Sequence, residues 1–482
     1  MNTMKPRTLL PLLPRQLGLA LTLCAAAVLT ACASLAPSSA ELPATPMPAA
    51  WSVATSGGQN ATALAGWWQR FNDPVLTSLV TQALQANTSV KSAQAALLQA
   101  RAQRDVQSTN AGPSLGASGS AQRSRSGSND ASNRFQAGFD ASWEPDVFGG
   151  NRATVNASDA DARAAQTSLG DVQVSLAAEV AAGYIELRGL QNRLVIANSN
   201  LALQSETLQI TRWRTQAGLA SSLDLEQAVA STEQTRAQIP ALQTSVTQSL
   251  NALAVLTGQA PGSLQATLGA PAAIPPAPGD LALAFPAETL RQRPDVRTAE
   301  HRISAALARV AAADAARYPS FKLGGSLGLS ALTLGTLTDG ASVLSSLLAS
   351  VSAPLFDGGA AKAQVRSQEA ALEQARLGYQ ATVLTALKDV EDSLVALRGD
   401  TERLARLQAA GTAAANAELL ARQRYQSGLT DFRTVLDTQR TLLSTQDSVA
   451  STQATLSADH VRLYKALGGG WTPDAGSEAA AR

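Results

Sequence analysis

Two thiols, two imidazoles and one arginine–proline–aspartate run hold most of the chemistry this chain could perform. The imidazoles, His301 and His460, lie far apart, and neither has a cysteine or a second histidine at metal-ligand spacing. They read as ordinary helix residues. The thiols, Cys24 and Cys32, both fall near the N-terminus, and no cysteine follows them. The rest of the chain therefore has neither a disulfide framework nor a cysteine nucleophile. Arg293-Pro294-Asp295 looks catalytic at first sight. Physically, a proline at the first helical position with an acid in the first turn is how a helix begins. No nucleophile–base pair, phosphate-cradling glycine loop or metal cluster emerges, so the expectation is a non-enzyme that needs no cofactor. Lys and Arg are scattered among acids, the formal net charge is +1, and no basic block is present to bind nucleic acid.

Cys32 is the exception, because its surroundings give it a task. Lys5, Arg7 and Arg15 form a positive leader, and Leu17 to Leu29 form an apolar run too short to span a bilayer well. The run ends in Leu29-Thr30-Ala31-Cys32, which resembles the bacterial lipobox, where the cysteine becomes the lipidated first residue. Ala33, not Asp, follows, which points to the outer membrane. Each buried CH2 of an acyl chain contributes roughly 0.8 kcal/mol, so a lipid on Cys32 would anchor the chain strongly. Removing the leader with its three cations turns the charge of +1 into −2.

The elements that must carry such an anchored body can be read from composition and punctuation. Charged residues are 16% and aromatics 4%, a mixture suited to helices packed through small side chains. Residues 33–62 are rich in Pro, Ala, Ser and Thr and read as an extended tether. Asp73-Pro74 predicts a helix start, and the helical pattern runs to about Ser108. No proline occurs between Pro145 and Pro240, or between Pro354 and Pro473. Residues 151–217 and 360–426 are accordingly predicted as single helices, each about 100 Å long at 1.5 Å per residue. Leu387, Val390, Leu394, Leu397 and Leu404 show coiled-coil spacing. No later apolar run is long enough for a transmembrane helix, so a membrane crossing would have to use strands in a closed barrel. Residues 135–143 and 321–329 alternate apolar with small or polar side chains, with 113–122 and 343–355 as their partners.

The chain also repeats itself. Pro113-Ser114-Leu115 recurs as Pro319-Ser320-Phe321, Phe148-Gly149-Gly150 as Phe356-Asp357-Gly358-Gly359, and Gln216-Ala217-Gly218-Leu219 as Gln426-Ser427-Gly428-Leu429, at offsets of 206 to 210 residues. Each half reads helix, strand pair, very long helix, Gly-Leu turn, returning helix. Four strands per chain cannot close a membrane barrel, for which about eight is the smallest number. The chain must oligomerise: two copies would give a plugged lumen, three a possible pore.

These segments resemble the TolC-like outer-membrane factor family, in particular its NodT-type lipoprotein branch of resistance-nodulation-division (RND) efflux systems. Carrying the resemblance are Trp67-Trp68 with Phe71 and Asp73-Pro74, Trp143-Glu144-Pro145-Asp146-Val147-Phe148-Gly149, and Arg293-Pro294-Asp295-Val296 with Ala299-Glu300. Pro354-Leu355-Phe356-Asp357-Gly358-Gly359 and Arg424-Tyr425-Gln426-Ser427-Gly428-Leu429 complete the set. The resemblance implies an α+β membrane protein: a homotrimer with a 12-stranded outer-membrane β-barrel, continued by a long periplasmic α-helical barrel. It would be a passive exit duct for small molecules such as drugs, metals or toxic compounds, working with a periplasmic adaptor (a membrane fusion protein) and an inner-membrane RND transporter. On this reading residues 1–31 are a signal peptide, 32–66 a lipid-anchored tether, 67–256 a first repeat, 257–285 a proline-rich equatorial linker, 286–467 a second repeat and 468–482 a flexible tail. A structural coiled-coil lipoprotein and a type I protein-secretion duct are the alternatives.

The same resemblance assigns the tips. Gly218, Leu219, Gly428 and Leu429 would meet the adaptor. Asp437 would form a ring of three like charges that narrows the pore and attracts cations. Asp224 accepting from Tyr425 would latch the tip shut, although Thr430 and Thr434 stand where the family's charged latch residues crowd.

Overall fold

The computed structural model describes residues 42–43, 51, 64–125, 127, 130–276 and 287–471. The leader, Cys32 and most of the tether lie outside the described residues. Residues 99–163 and 300–377 form one compact unit, and residues 64–98, 164–299 and 378–471 form a second.

The first unit contains all four strands: β1 (Ser114–Ser124), β2 (Ser132–Trp143), β3 (Ser320–Ala331) and β4 (Val343–Ser352). They form one antiparallel sheet in the order β1-β2-β3-β4, so β1 and β4 each keep one unpaired edge. The register sorts the side chains cleanly, because residues directly across from one another share a face. Leu115, Ala117 and Ala121 stand with Phe135, Phe139 and Trp143, then with Leu323, Leu327 and Leu329, then with Val343, Leu347 and Val351. No charge falls on this face between Leu115 and Ala121 or along its positions in the other three strands. The opposite face carries Ser118, Ser120, Arg134, Gln136, Asp140, Lys322 and Ser326, with Ser118 donating to Asp140 at 2.9 Å. Strand β4 departs from the pattern: Leu344 and Leu348 stand on the polar face, opposite Gly328 and Gly324. Between β2 and β3, a Cβ on Gly138 would come 2.9 Å from the Cα of Gly328, so this close approach requires glycine.

The longer helices are α1 (Pro74–Ala86), α2 (Thr88–Asn110), α3 (Gly150–Gln216), α4 (Ser222–Leu256), α5 (Pro294–Ala315), α6 (Ala360–Gln426) and α7 (Phe432–Ala466). Asp73 caps α1, accepting from the Val75 and Leu76 N–H groups at 2.8 and 3.0 Å. The single helix expected from Pro74 to about Ser108 is instead two. Asn87 adopts an extended backbone, gives its side-chain amide to the Leu256 carbonyl, and caps α2 through Ser89 N–H. The two predicted long helices appear at 67 residues each, and both returning helices have 35. Helix α4 runs through Pro240, which has no N–H to donate back along the helix. In α6, Tyr379, Val383, Ala386, Val390, Leu394 and Leu397 are buried at intervals of three or four, a coiled-coil seam.

The second unit is closed by its chain ends. Trp67 and Phe71 are buried, and Trp67 stacks on Tyr464 with ring centroids 5.3 Å apart. Gly470 N–H donates to the Leu64 carbonyl at 2.9 Å, and the Trp471 indole lies against Gly170. The packed body thus reaches from Leu64 to Trp471.

Candidate functional site

The two helix reversals, 210 residues apart, are built alike. Helix α3 ends with Gly218 N–H donating to Thr215 O and Leu219 N–H to Arg214 O. Helix α6 ends with Gly428 N–H donating to Tyr425 O and Leu429 N–H to Arg424 O. Both are Schellman closures, and they require the left-handed backbone that Gly218 (φ 71°) and Gly428 (φ 73°) supply. The geometry leaves Leu219 and Leu429 outside, 71% and 76% exposed. The strands of chain that follow are capped differently. Ser221 and Asp224 form a reciprocal capping box on α4. Asp431 caps α7 alone, accepting from Thr434 N–H at 3.0 Å and from its hydroxyl.

The capping box changes the reading of Asp224. Its carboxylate accepts from Ser221 N–H at 3.2 Å, and the expected hydrogen bond from Tyr425 is not made. Tyr425 is buried with Ala421, Phe432, Val435, Leu436 and Ala228, its ring 5.4 Å from that of Phe432. Its partner is Arg214 instead: the guanidinium lies 4.6 Å from the ring centroid, and Nη1 donates to the Tyr425 carbonyl at 2.7 Å. Asp437 is exposed on α7, one turn after Arg433, with Nε and Oδ2 4.0 Å apart. The structure therefore brings Tyr425 into a packed link between α3 and α6, and leaves Asp224 and Asp437 apart from it.

Arg214 belongs to a longer arrangement. It is the last of four α3 residues at seven-residue intervals that reach other helices. Arg193 forms a two-point ion pair with Asp447 at 2.7 and 3.1 Å. Asn200 donates to Gln446 at 2.8 Å, and Thr207 accepts from Gln439 at 2.9 Å. Asn200, Thr207 and Gln439 are buried. Polar groups at one heptad position specify register, since any slip leaves them unsatisfied. The heptad interval is visible in the sequence and was the signal that could have found this ladder.

A second polar junction surrounds Arg293, which does more than start a helix. Its guanidinium binds Asp295 at 3.0 and 2.8 Å, donates to the Ala466 carbonyl at 2.6 Å and lies 3.6 Å from Asp389. Nearby, burial pushes the Asp171 carboxyl up from its ordinary value; Asp295 adds to the shift and Arg293 opposes it. Arg293 thus joins α5, α6 and the end of α7. Among the described residues there is no cluster of His, Cys, Asp and Glu able to hold a metal ion, and no helix is long and apolar enough to cross a membrane.

Comparison with known proteins agrees with this architecture. The outer membrane efflux protein family model matches residues 79–259 and 285–469. The chain is similar to the outer membrane protein OprJ of Pseudomonas aeruginosa, 33% identical over 92% of this chain and 94% of the relative. It is also similar to the solvent efflux pump outer membrane protein SrpC of Pseudomonas putida, 32% identical over 90% and 94%. Among solved structures, the outer-membrane channel OprN is matched with a TM-score of 0.81 at 34% identity, over 90% of this chain and 100% of that one. The outer membrane protein VceC of Vibrio cholerae is matched with a TM-score of 0.79 at 26% identity, over 85% and 99%.

Proposed function

This chain belongs to the outer membrane efflux protein family, and we propose that three copies of it form the outer-membrane duct of a tripartite efflux pump. The observation that carries this is the sheet. Its strands have the length of a tilted membrane-spanning strand, its apolar face, charged only at Arg123 near the end of β1, suits lipid, and its other face suits water. Its two open edges cannot be left unpaired in a bilayer. Twelve strands from three copies close it around a lumen wide enough to conduct. The channel needs no reaction of its own. It passes small molecules from an inner-membrane RND transporter and its periplasmic adaptor to the outside, and Cys32 carries the lipid that tethers it.

The exposed Leu219 and Leu429, presented by rigid glycine closures, suit docking to the adaptor. Asp437 lines the narrow end as one of three acids, with Arg433 one turn away moderating its charge. Tyr425 holds the tip through Arg214 and Phe432, and Asp224 acts there by keeping α4 capped. Deleting the gene should raise sensitivity to lipophilic drugs or solvents, and a plasmid copy should restore resistance. Unchanged sensitivity in a strain dependent on this pump would refute the duct.

A further inference from the structure

Repeat symmetry inside the chain identifies a contact that one copy cannot make alone. The linkers that follow β2 and β4 are repeats of each other, with Val147-Phe148-Gly149-Gly150 matching Leu355-Phe356-Asp357-Gly358-Gly359. In the first, Phe148 is packed: its ring lies 5.0 Å from Tyr318, two residues before β3, and 6.4 Å from Phe321, at its start. Gly150 there lies against Ala315, where an added Cβ would come within 3.2 Å. In the second, residues 353–360 are exposed throughout, with Leu355 at 97% and Phe356 at 94%. Two adjacent large apolar side chains at the end of a strand do not remain in water without a reason.

The reason follows from what Phe148 touches. It belongs to the first repeat and packs on the start of the second. The counterpart of Phe356 must therefore be the start of a first repeat, that is, the segment matching Tyr318-Pro319-Ser320-Phe321. That segment is Gly112-Pro113-Ser114-Leu115. In the same chain it leads into β1, at the far edge of the sheet from β4. Leu115 is itself exposed, on the apolar face. We infer that Leu355 and Phe356 seat on the 112–115 segment of a second copy of this chain, repeating between copies the contact that Phe148 makes within one. This rests on the oligomeric barrel proposed above and adds the residues of its seam. The two seams differ in kind: the internal one stacks three aromatic rings, whereas the one between copies sets a single ring against Gly112 and Leu115.

The experiment is oxidative cross-linking of the full-length protein in outer-membrane fractions. Phe356→Cys together with Leu115→Cys should give reducible species of two and three chains, while each single variant gives none. Phe148→Cys with Phe321→Cys should close within one chain and leave the mass unchanged. A second readout is the temperature at which the native oligomer dissociates in detergent, which Phe356→Ser should lower. If native oligomer forms but the 356–115 pair does not cross-link and Phe356→Ser leaves the dissociation temperature unchanged, the seam is wrong while the barrel stands. If the wild-type chain is a monomer, the barrel and the seam fall together.

Discussion

The two units of this chain distribute polarity in opposite ways. In the sheet, most apolar side chains share one face, charged only at Arg123 near the end of β1, and most serines and the other charges share the opposite face. In the helical unit, apolar seams are buried, and polar and charged groups are either exposed or tied into junctions between helices, such as Arg293 with Asp295 and Asp389 or Asn200 with Gln446. The contrast teaches that each unit is matched to its own solvent. A sheet that meets lipid is stabilised by having no charge on one face. A long helical stack in water needs polar pairs at set intervals, because an apolar seam of Ala and Leu alone permits sliding by a heptad.

Breaking the helical side of this contrast should have the largest effect. Arg293→Ala leaves the Ala466 carbonyl without a donor and the partly exposed Asp295 and Asp389 without their cation, and should cost about 2–4 kcal/mol, read as a fall in thermal unfolding temperature. On the sheet, Leu327→Lys places a charge in the middle of the apolar face and should cost roughly 2–4 kcal/mol, seen as loss of heat-stable oligomer from outer-membrane fractions. Ser326→Lys, its neighbour on the polar face, should be tolerated. Equal loss from both would mean that the faces are not distinguished by lipid. Smaller again, Gly428→Ala forces a Cβ into left-handed backbone and should cost about 1–2 kcal/mol, with Gly218→Ala behaving alike. Last, Asp437→Ala should change stability little and raise single-channel conductance; an unchanged conductance would remove this residue from the narrow end.

The same contrast explains what could be read in advance. Helices α3 and α6 were legible because long proline-free runs are broken by Gly218 and Gly428, and punctuation of this kind acts locally. Strands β2 and β3 were legible from alternation, and β1 and β4 only as their partners; in β4, Leu344 and Leu348 put apolar groups on both faces. The break at Asn87 was not legible, because it depends on the Leu256 carbonyl, 169 residues away. Pro240 marked no boundary, because packing holds α4 helical across it. At the tips, the Ser221-x-x-Asp224 spacing was a readable capping box that claims the carboxylate expected to meet Tyr425. Arg214 continues a readable heptad interval, but its link to Tyr425 was hidden because its partners are a ring face and a main-chain carbonyl, which leave no pattern in sequence.

The central claim is that the exposed sheet is one third of a closed pore wall. The most direct test is the mass of the detergent-extracted mature protein under native and denaturing conditions. Three chains in the native particle, each carrying a lipid on Cys32, is the predicted result. A soluble, unlipidated monomer would contradict it, because four strands with two open edges cannot cross a membrane alone.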